Sequence, residues 1–246
     1  MDDLNKIRNY KVVKANELIQ KSRFDLNLQE QKIILYIISK IKPADLEFEE
    51  YSFSIQDFCE VCGFDNTSGK NYENIKKSLQ DLRNKSVWIQ INDKRQTTLA
   101  WFDKVTIDRG SGVVTLKIDD HMKPYLLALK SNFTQYELFY TLAMKSRYSI
   151  RLYELLKSHE FRINKIFGVD ELKVLLSAEK YERFPDFKRR VLDIAVKEIN
   201  EVSDLNAEYE IIKKGRKSDN IDFEIRLKVE TNERISTWKK ISGIID

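Results

Sequence analysis

Two clusters of basic side chains are the residues of this sequence best suited to binding a ligand. Lys188, Arg189 and Arg190 are consecutive, and residues 213–217 form a second cluster with the sequence Lys-Lys-Gly-Arg-Lys. An arginine can donate two hydrogen bonds to O6 and N7 of guanine, and lysine or arginine can hold a phosphate. Basic runs are most often solvated surface, so the elements that carry these clusters decide what they can do.

The patterns typical of enzymes and metal sites are weak. Cys59 and Cys62 have the spacing of a zinc or redox motif, but no second pair of cysteines completes a tetrahedral site. His121 and His159 are far apart in the sequence, and no phosphate-binding GxxxxGK[ST] loop occurs. We therefore expect no cofactor, no bound metal and no enzymatic activity.

Composition and charge permit nucleic-acid binding without requiring it. Of the 246 residues 42% are hydrophobic, and 43 Lys and Arg stand against 39 Asp and Glu. The first residues are too polar for a signal peptide, and the longest apolar stretch, residues 33–38, is too short to span a membrane. Two cysteines suit a reducing compartment. We expect a cytoplasmic protein with no membrane partner.

Three hydrophobic patterns recur with one offset of 117 residues, which indicates an internal duplication. The matched pairs are Ile33 and Ile150, Leu35 and Leu152, Tyr36 and Tyr153, Ile38 and Leu155, Ile55 and Leu172, Phe58 and Leu175, Cys59 and Leu176, Ile75 and Leu192, Leu79 and Val196, and Leu82 and Ile199. Because Cys59 matches a leucine, its position favours a role in the core.

Each copy has the order helix, strand, helix, helix and β-hairpin, which is typical of a winged helix. In the first copy we predict helices over 28–41, 55–62 and 72–84, and strands over 51–53, 87–91, 99–107 and 113–118. In the second copy we predict helices over 145–158, 169–177 and 186–202, and a hairpin of 208–212 with 221–229. The fold class is therefore α+β, with tandem winged-helix domains at 1–130 and 131–230. A tail of unknown role follows at 231–246.

In a winged helix the third helix can enter the major groove while the hairpin lies along the DNA backbone. With the apolar positions turned inward, the candidate DNA contacts of the second copy are Asp186, Lys188, Arg189, Arg190, Asp193, Ile194 and Lys197 on the helix, and Lys213, Lys214, Arg216 and Lys217 at the hairpin turn. Those of the first copy are Asn71, Asn74, Lys76, Lys77 and Gln80 on the helix, and Lys94 and Arg95 at a hairpin turn. An outward isoleucine suits contact with a thymine methyl group.

The stretch from Phe184 to Leu192, FPDFKRRVL, resembles the iteron-binding plasmid replication initiators, which are theta-type Rep proteins with two winged helices. Residues 13–18, 145–155 and 213–216 resemble the same family. The resemblance covers residues 10–230 and is weak at residues 92–112 and in the tail.

The resemblance implies double-stranded DNA as the partner. Monomers would bind tandem iterons at the origin and help to open it for the host helicase, together with the host initiator. Homodimers, in equilibrium with the monomers, would repress the initiator's own gene at an operator with an inverted repeat. The second domain would do most of the base reading, and the first would add DNA contacts and the dimer surface.

Two alternatives remain open at this point. The chain could be a winged-helix transcriptional repressor with no role at an origin. It could also be a DNA-nicking Rep enzyme of rolling-circle replication, although such an enzyme would need closely spaced metal-binding histidines near a nucleophilic tyrosine.

Overall fold

The computed structural model describes residues 10–42, 45–64, 69–108 and 110–228, with only the backbone for residues 69–71. The chain forms two compact units, of which the first ends at Leu142 and the second begins at Ala143. The sequence predicts the division after residue 130. The first unit extends further because β8 (Phe133–Glu137) pairs antiparallel with β1 (Lys11–Ala15). The tail at 231–246 lies outside the described residues.

In the described residues, the first unit contains helices of 4 to 16 residues and three small sheets. Its helices are α1 (Asn16–Gln20), α2 (Leu28–Ile38), α3 (Ile55–Cys62), α4 (Gly69–Asn84), a 3-10 turn (Asp120–Met122), α5 (Lys123–Leu126) and α6 (Leu138–Ala143), which ends at the boundary. Its other strands are β2 (Ser22–Arg23), β3 (Glu50–Ser54), β4 (Ser86–Asn92), β5 (Arg95–Ala100), β6 (Phe102–Ile107) and β7 (Val113–Ile118). The sheets have the orders β1-β8, β2-β4-β5 and β3-β7-β6.

An aromatic cluster joins α2 and α3 to the sheet of β3. The Tyr36 ring lies 5.4 Å from both the Phe53 and the Phe58 ring centroids, in edge-to-face arrangements. α2 begins with a capping box, in which Asn27 and Glu30 satisfy each other's backbone N–H groups. α3 begins at the predicted cap Ser54 and ends at Gly63, whose φ of +67° is left-handed.

The strand predicted at 99–107 is wrong, because two strands of different sheets occupy it. β5 ends at Ala100 and β6 begins at Phe102. Trp101 and Phe102 are adjacent, and each is only 2% exposed. Neighbouring side chains of a regular strand point to opposite faces. The chain therefore changes sheets at this point, which lets both rings be buried.

The β6–β7 hairpin is the wing of the first unit. β7 pairs with β3, the strand that precedes α3, in the same way as the hairpin of the second unit pairs with its preceding strand. The turn of this first wing spans residues 108–112, of which Arg109 lies outside the described residues. The β4–β5 hairpin, in the sheet with β2, is an additional element of the first unit.

The second unit is a simpler version of the same arrangement. Its elements are α7 (Arg147–Lys157), β9 (Asn164–Gly168), α8 (Val169–Leu175), α9 (Phe184–Phe187), a π-helical turn (Lys188–Leu192), α10 (Asp193–Val202), β10 (Leu205–Lys214) and β11 (Lys217–Leu227). The sheet order is β10-β11-β9. The predicted α+β architecture of two winged helices is confirmed.

The duplication predicted from the offset of 117 agrees with the burial of most matched positions. Tyr36 and Tyr153, for example, are both 1% exposed or less. Val196 is an exception: it is half-buried, and Ala195 occupies the core instead. Among the described residues no helix is both long and apolar enough to cross a membrane.

Candidate nucleic-acid interface

The second recognition helix, residues 184–202, consists of α9, the π-helical turn and α10. Its inner side carries Phe187, Val191, Ala195 and Ile199, which are all 0% exposed. In a regular α-helix, with 3.6 residues per turn, residues four apart are rotated by about 40° relative to each other around the axis. The π-helical turn is wider and takes up this drift, so the four side chains remain on one side. π-helical turns of this kind often occur at functional sites.

The outer side of this helix carries the residues predicted from the sequence. Arg189, Arg190, Asp193, Ile194 and Lys197 are exposed, and Asp186 and Lys188 are half-buried. Ile194 is 43% exposed, which leaves its side chain accessible to a partner.

Ion pairs divide the basic residues of the helix into two groups. Lys188 Nζ lies 2.8 Å from an Asp193 carboxylate oxygen, and an Arg189 guanidinium nitrogen lies 3.3 Å from Asp186. Lys197 lies 3.8 Å from Glu201. Arg190, in contrast, has no ion-pair or hydrogen-bond partner among the described residues, so its guanidinium is available to a ligand.

Tyr209 of β10 joins the Lys188–Asp193 pair to the wing. Its hydroxyl donates a hydrogen bond of 2.5 Å to Asp193 Oδ1. Hydrogen bonding to Asp193 raises the pKa of Lys188. The pKa of Asp193 is lowered, because the hydrogen bonds from Lys188 and Tyr209 outweigh the opposing effect of partial burial. Burial, and then the bond to Asp193, raises the pKa of Tyr209. Lys188 and Asp193 are therefore both charged at neutral pH.

The second wing, formed by β10 and β11, ends in a concentration of positive charge. Lys213, Lys214, Arg216 and Lys217 are all exposed. Gly215 makes the turn with a φ of +64°, which a residue with a side chain rarely adopts. Lys217 lies 3.6 Å from Asp170, a contact between two highly exposed side chains that is worth little energy.

The first recognition helix, α4, is regular and less basic. Ile75, Leu79 and Leu82 are buried as predicted. Asn74, Lys77 and Gln80 are exposed. Lys76 is half-buried and lies 3.2 Å from Glu73. Of the two cations predicted to contact DNA from α4, Lys76 is therefore already paired. The side chain of Asn71 lies outside the described residues.

Lys94 and Arg95 are exposed at the turn of the β4–β5 hairpin. The sequence predicts that this turn is the tip of the first wing, and the strand pairing contradicts that prediction. The hairpin belongs to the sheet of β2, whereas the first wing belongs to the sheet of β3. Pairing with the strand before α3 is the criterion that identifies the wing, and β7 of the β6–β7 hairpin fulfils it.

A groove of about 440 Å³ lies between the start of α3, the start of α4 and the first wing turn. No pattern in the sequence predicts this groove. Ile55 N–H donates a hydrogen bond of 3.0 Å to Gly112 O. A Cβ on Gly112, whose φ is +68°, would stand 3.4 Å from the Tyr72 ring. The lining residues are Ser54, Ile55, Gln56, Cys59, Tyr72, Gly110, Ser111 and Gly112.

The cysteines belong to the core of the first unit, and His159 of the second unit is half-buried. Cys59 and Cys62 are buried free thiols, and burial raises the pKa of Cys59. Burial, followed by the nearby charges of Lys165 and Arg162, lowers the pKa of His159 to about 4. In the part of the chain that the structure describes, no three His, Cys, Asp or Glu side chains are grouped closely enough to hold a metal ion.

Comparison with known proteins identifies both units. The family model described as "Initiator Replication protein, WH1" matches residues 11–157, and the model described as "Initiator Rep protein, WH2" matches residues 168–225. A "Replication initiation protein" from Escherichia coli is 29% identical over 231 residues, which cover 88% of this chain and 69% of that protein. The "PI protein" of Escherichia coli is 31% identical over 152 residues, which cover 54% of this chain and 50% of that protein.

A solved structure has the same fold. The "Crystal structure of Pi initiator protein in complex with iteron DNA" superposes with a TM-score of 0.71 at 22% sequence identity. The superposition covers 89% of this chain and 98% of that one. At this level of identity the likeness concerns the fold.

Proposed function

The chain belongs to the family of initiator replication proteins with two winged-helix domains, and on this basis we propose that it binds iteron repeats of double-stranded DNA at a plasmid origin and initiates replication there. A relative whose fold it shares was solved in complex with iteron DNA. The family and the charged surface of the second unit support the same function.

The observation that carries the proposal is the pairing state of the basic residues in the second unit. A winged helix offers DNA its recognition helix and its wing. Here the helix presents Arg190 with no partner among the described residues, and the wing ends in four exposed cations. Among the described residues, Lys217 is the one wing cation with a carboxylate partner, the highly exposed Asp170, whereas Arg189 on the helix is paired with Asp186.

We assign different roles to these two groups. Arg190 reads a base, because a free guanidinium can donate two hydrogen bonds to the edge of guanine. Ile194 contacts a thymine methyl group. The cations of the second wing hold phosphates and fix the register of the protein on DNA without reading sequence. Asp186, Lys188, Arg189, Asp193 and Lys197 border the same surface.

The first unit adds a second, weaker contact. Asn74, Lys77 and Gln80 are the exposed side chains of its recognition helix, and amide side chains suit the edge of adenine. Asn71 and Lys76 belong to the proposed contact by their positions on α4. Lys94 and Arg95 form a separate phosphate contact at the β4–β5 turn.

The resemblance to iteron-binding initiators extends the proposal to regulation. A homodimer, in equilibrium with the DNA-binding monomer, represses the protein's own gene at an inverted repeat. The host initiator and helicase are the partners at the opened origin, and the protein acts in the cytoplasm without enzymatic activity of its own.

Selection of bound duplexes from a random library by the full chain tests the DNA-binding proposal. We expect one recovered sequence that occurs as direct repeats of about 20 base pairs, or two helical turns, beside the gene. Recovery of no preferred sequence would contradict the proposal.

Two further measurements separate the alternative functions. A plasmid that carries these repeats should be maintained only when the chain is supplied, whereas a repressor without origin function would lower transcription and leave maintenance unchanged. Incubation of supercoiled repeat DNA with the protein and a divalent metal ion should leave the DNA intact, whereas a rolling-circle enzyme would nick it.

A further inference from the structure

The Lys188–Asp193–Tyr209 cluster connects the two elements of the second unit that the proposed function places on DNA. Asp193 accepts hydrogen bonds from Lys188 Nζ at 2.8 Å and 3.0 Å and from the Tyr209 hydroxyl. The Lys188 ammonium also lies 5.7 Å from the centre of the Tyr209 ring. Lys188 and Asp193 belong to the recognition helix, and Tyr209 belongs to the wing strand β10.

The π-helical turn makes this cluster possible. Residues five apart on a regular α-helix are rotated by about 140° relative to each other, so their side chains do not meet. In the π-helical turn, Asp193 N–H bonds to Lys188 O, five residues earlier, which brings the two residues into line. The pair therefore depends on the irregular part of the helix.

The winged-helix fold does not itself require this cluster, because the first unit is built without it. Lys76 stands at the position of α4 that corresponds to Asp193 at the offset of 117, and α4 has no π-helical turn. A carboxylate on a DNA-facing surface repels phosphates, so Asp193 carries an electrostatic cost in the second unit. A compensating role at the DNA surface explains its presence there.

The bonds made by Asp193 favour a role in positioning over direct reading of a base. Oδ1 accepts from both Lys188 and Tyr209, and Oδ2 accepts from Lys188. A carboxylate has about four acceptor positions. The three hydrogen bonds from Lys188 and Tyr209 occupy most of them and fix the orientation of the Asp193 side chain. The ammonium of Lys188 is held by the same bonds, at the start of the helix.

We propose that Asp193 and Tyr209 are positioning residues that hold Lys188 and join the second recognition helix to the second wing, so that helix and wing meet DNA as one preformed surface. This inference rests on the proposed function. It assigns to Asp193 a role different from the direct DNA contact expected from the sequence, and it adds Tyr209 to the residues that determine specificity.

Two substitutions in the full chain test this role. Tyr209→Phe removes one hydroxyl without changing the charge, and Asp193→Asn removes the carboxylate. The matched controls are Tyr125→Phe, at a half-buried tyrosine of the first unit, and Asp222→Asn. Asp222 pairs in register with Glu210, so it lies on the opposite face of the sheet from Tyr209. Thermal unfolding identifies variants that fail to fold.

The binding measurement compares a duplex selected by the wild type with a random duplex over a series of salt concentrations. We expect Tyr209→Phe to weaken binding to the selected duplex about tenfold and to change binding to the random duplex less than twofold. Asp193→Asn should weaken selected binding by at least as much. It should also strengthen random binding, because one negative charge is removed and Lys188 is released toward phosphates. Both controls should behave as the wild type.

A second measurement needs no DNA. The rate at which an amine-specific reagent acetylates Lys188, followed by mass spectrometry, should rise in both variants and stay unchanged in the controls. Unchanged labelling in both variants would overturn the proposal that Asp193 and Tyr209 hold Lys188, while leaving the proposed function intact. A wild type with no sequence preference would overturn the proposed function, whatever the labelling shows.

Two further outcomes would also overturn the inference. Equal losses on the selected and random duplexes would show that the cluster only supports the fold. If Asp193→Asn changes the preference at one base pair and Tyr209→Phe has no effect, Asp193 reads that base directly.

Discussion

Lys214 and Lys217 are directly opposite each other in the last pair of the β10–β11 hairpin. Like charges at such cross-strand positions destabilise a hairpin by some tenths of a kcal/mol. The register of the hairpin shifts between Ile212 and Lys213, and the left-handed Gly215 makes its turn. Lys214 and Lys217 therefore repel each other at the end of the wing, and an anion such as DNA phosphate would reduce that repulsion.

Neutralising the wing should weaken DNA binding without regard to sequence. The double variant Lys214→Gln with Arg216→Gln should lower affinity for selected and random duplexes by similar factors. The slope of log K against log salt should become shallower by about 2, because each phosphate contact contributes about one unit. Removing the repulsion between Lys214 and Lys217 should leave the melting temperature unchanged or slightly higher.

The matched control for the wing is Lys11→Gln with Lys42→Gln, at two exposed lysines of the first unit outside the proposed surface. It removes the same net charge from a different place. A salt slope that is unchanged by the wing variant, or reduced equally by this control, would show that the second wing does not contact the backbone.

Substitution of Arg190 should reduce specificity more than general affinity. Arg190→Ala should cost about 1–3 kcal/mol on the selected duplex and much less on random DNA. Arg190→Lys should recover only a small part of the loss, since an ammonium cannot donate the paired hydrogen bonds of a guanidinium.

The neighbouring Arg189 provides the comparison for Arg190, because a carboxylate already neutralises its charge. Its guanidinium is paired with Asp186 at 3.3 Å, so Arg189→Ala should cause a smaller and sequence-independent loss. Equal losses for Arg190→Ala on both duplexes would make Arg190 a phosphate contact.

The buried carboxylate of Glu30 should stabilise the first unit through two elements at once. Its side chain is 0% exposed and lies 2.7 Å from Lys85 Nζ, just after α4. It also accepts a hydrogen bond of 2.7 Å from Asn27 N–H at the start of α2. Glu30→Ala should lower the free energy of unfolding by about 2 kcal/mol, because Lys85 would lose its partner and α2 would lose one of the two hydrogen bonds of its capping box.

Urea unfolding of the full chain measures this effect, followed in the transition of the first unit. Glu17→Ala is the matched control: Glu17 pairs with Lys21 at 3.0 Å, but both side chains are about half exposed. We expect this control to cost less than about 1 kcal/mol. Comparable losses for the two variants would show that burial does not strengthen the Glu30 pair.

His159 should make the second unit less stable in acid. Burial, with help from Lys165 and Arg162, lowers the pKa of His159 to about 4 in the folded chain, from an ordinary value of 6.5. Between these values the unfolded chain takes up a proton that the folded chain does not. The free energy of unfolding is therefore unaffected above pH 6.5 and falls as the pH drops toward 4, by about 2 kcal/mol after a reduction for the partial exposure of His159.

Unfolding of the wild type and His159→Gln, measured from pH 7.5 to pH 4, checks this prediction. The stability difference between the two proteins should shrink over that interval. His121→Gln, which removes the exposed histidine of the first unit, is the control. A constant difference between the wild type and His159→Gln would refute the role of His159.

Local patterns in the sequence were sufficient to predict the main helices of each unit and their buried faces. Burial of Ile33 with Ile150, and of Leu82 with Ile199, can be predicted because apolar residues recur with the period of a helix. Capping by Ser54 and termination at Gly63 follow from the chemistry of single residues. The exposed positions of Arg190, Ile194 and Lys197 follow from the same periodicity.

Tertiary structure alone decided which strands pair and which charges remain free. The sequence marks a turn at Lys94, but only the pairing of β7 with β3 shows that a different hairpin is the first wing. It marks Lys188 and Arg190 as equally basic, but Asp193 and Tyr209 engage only the former. Periodicity reports the regular helix, whereas sheet order joins segments that are distant in sequence. The Lys188–Asp193 pair depends on the irregular π-helical turn and on Tyr209 from another element.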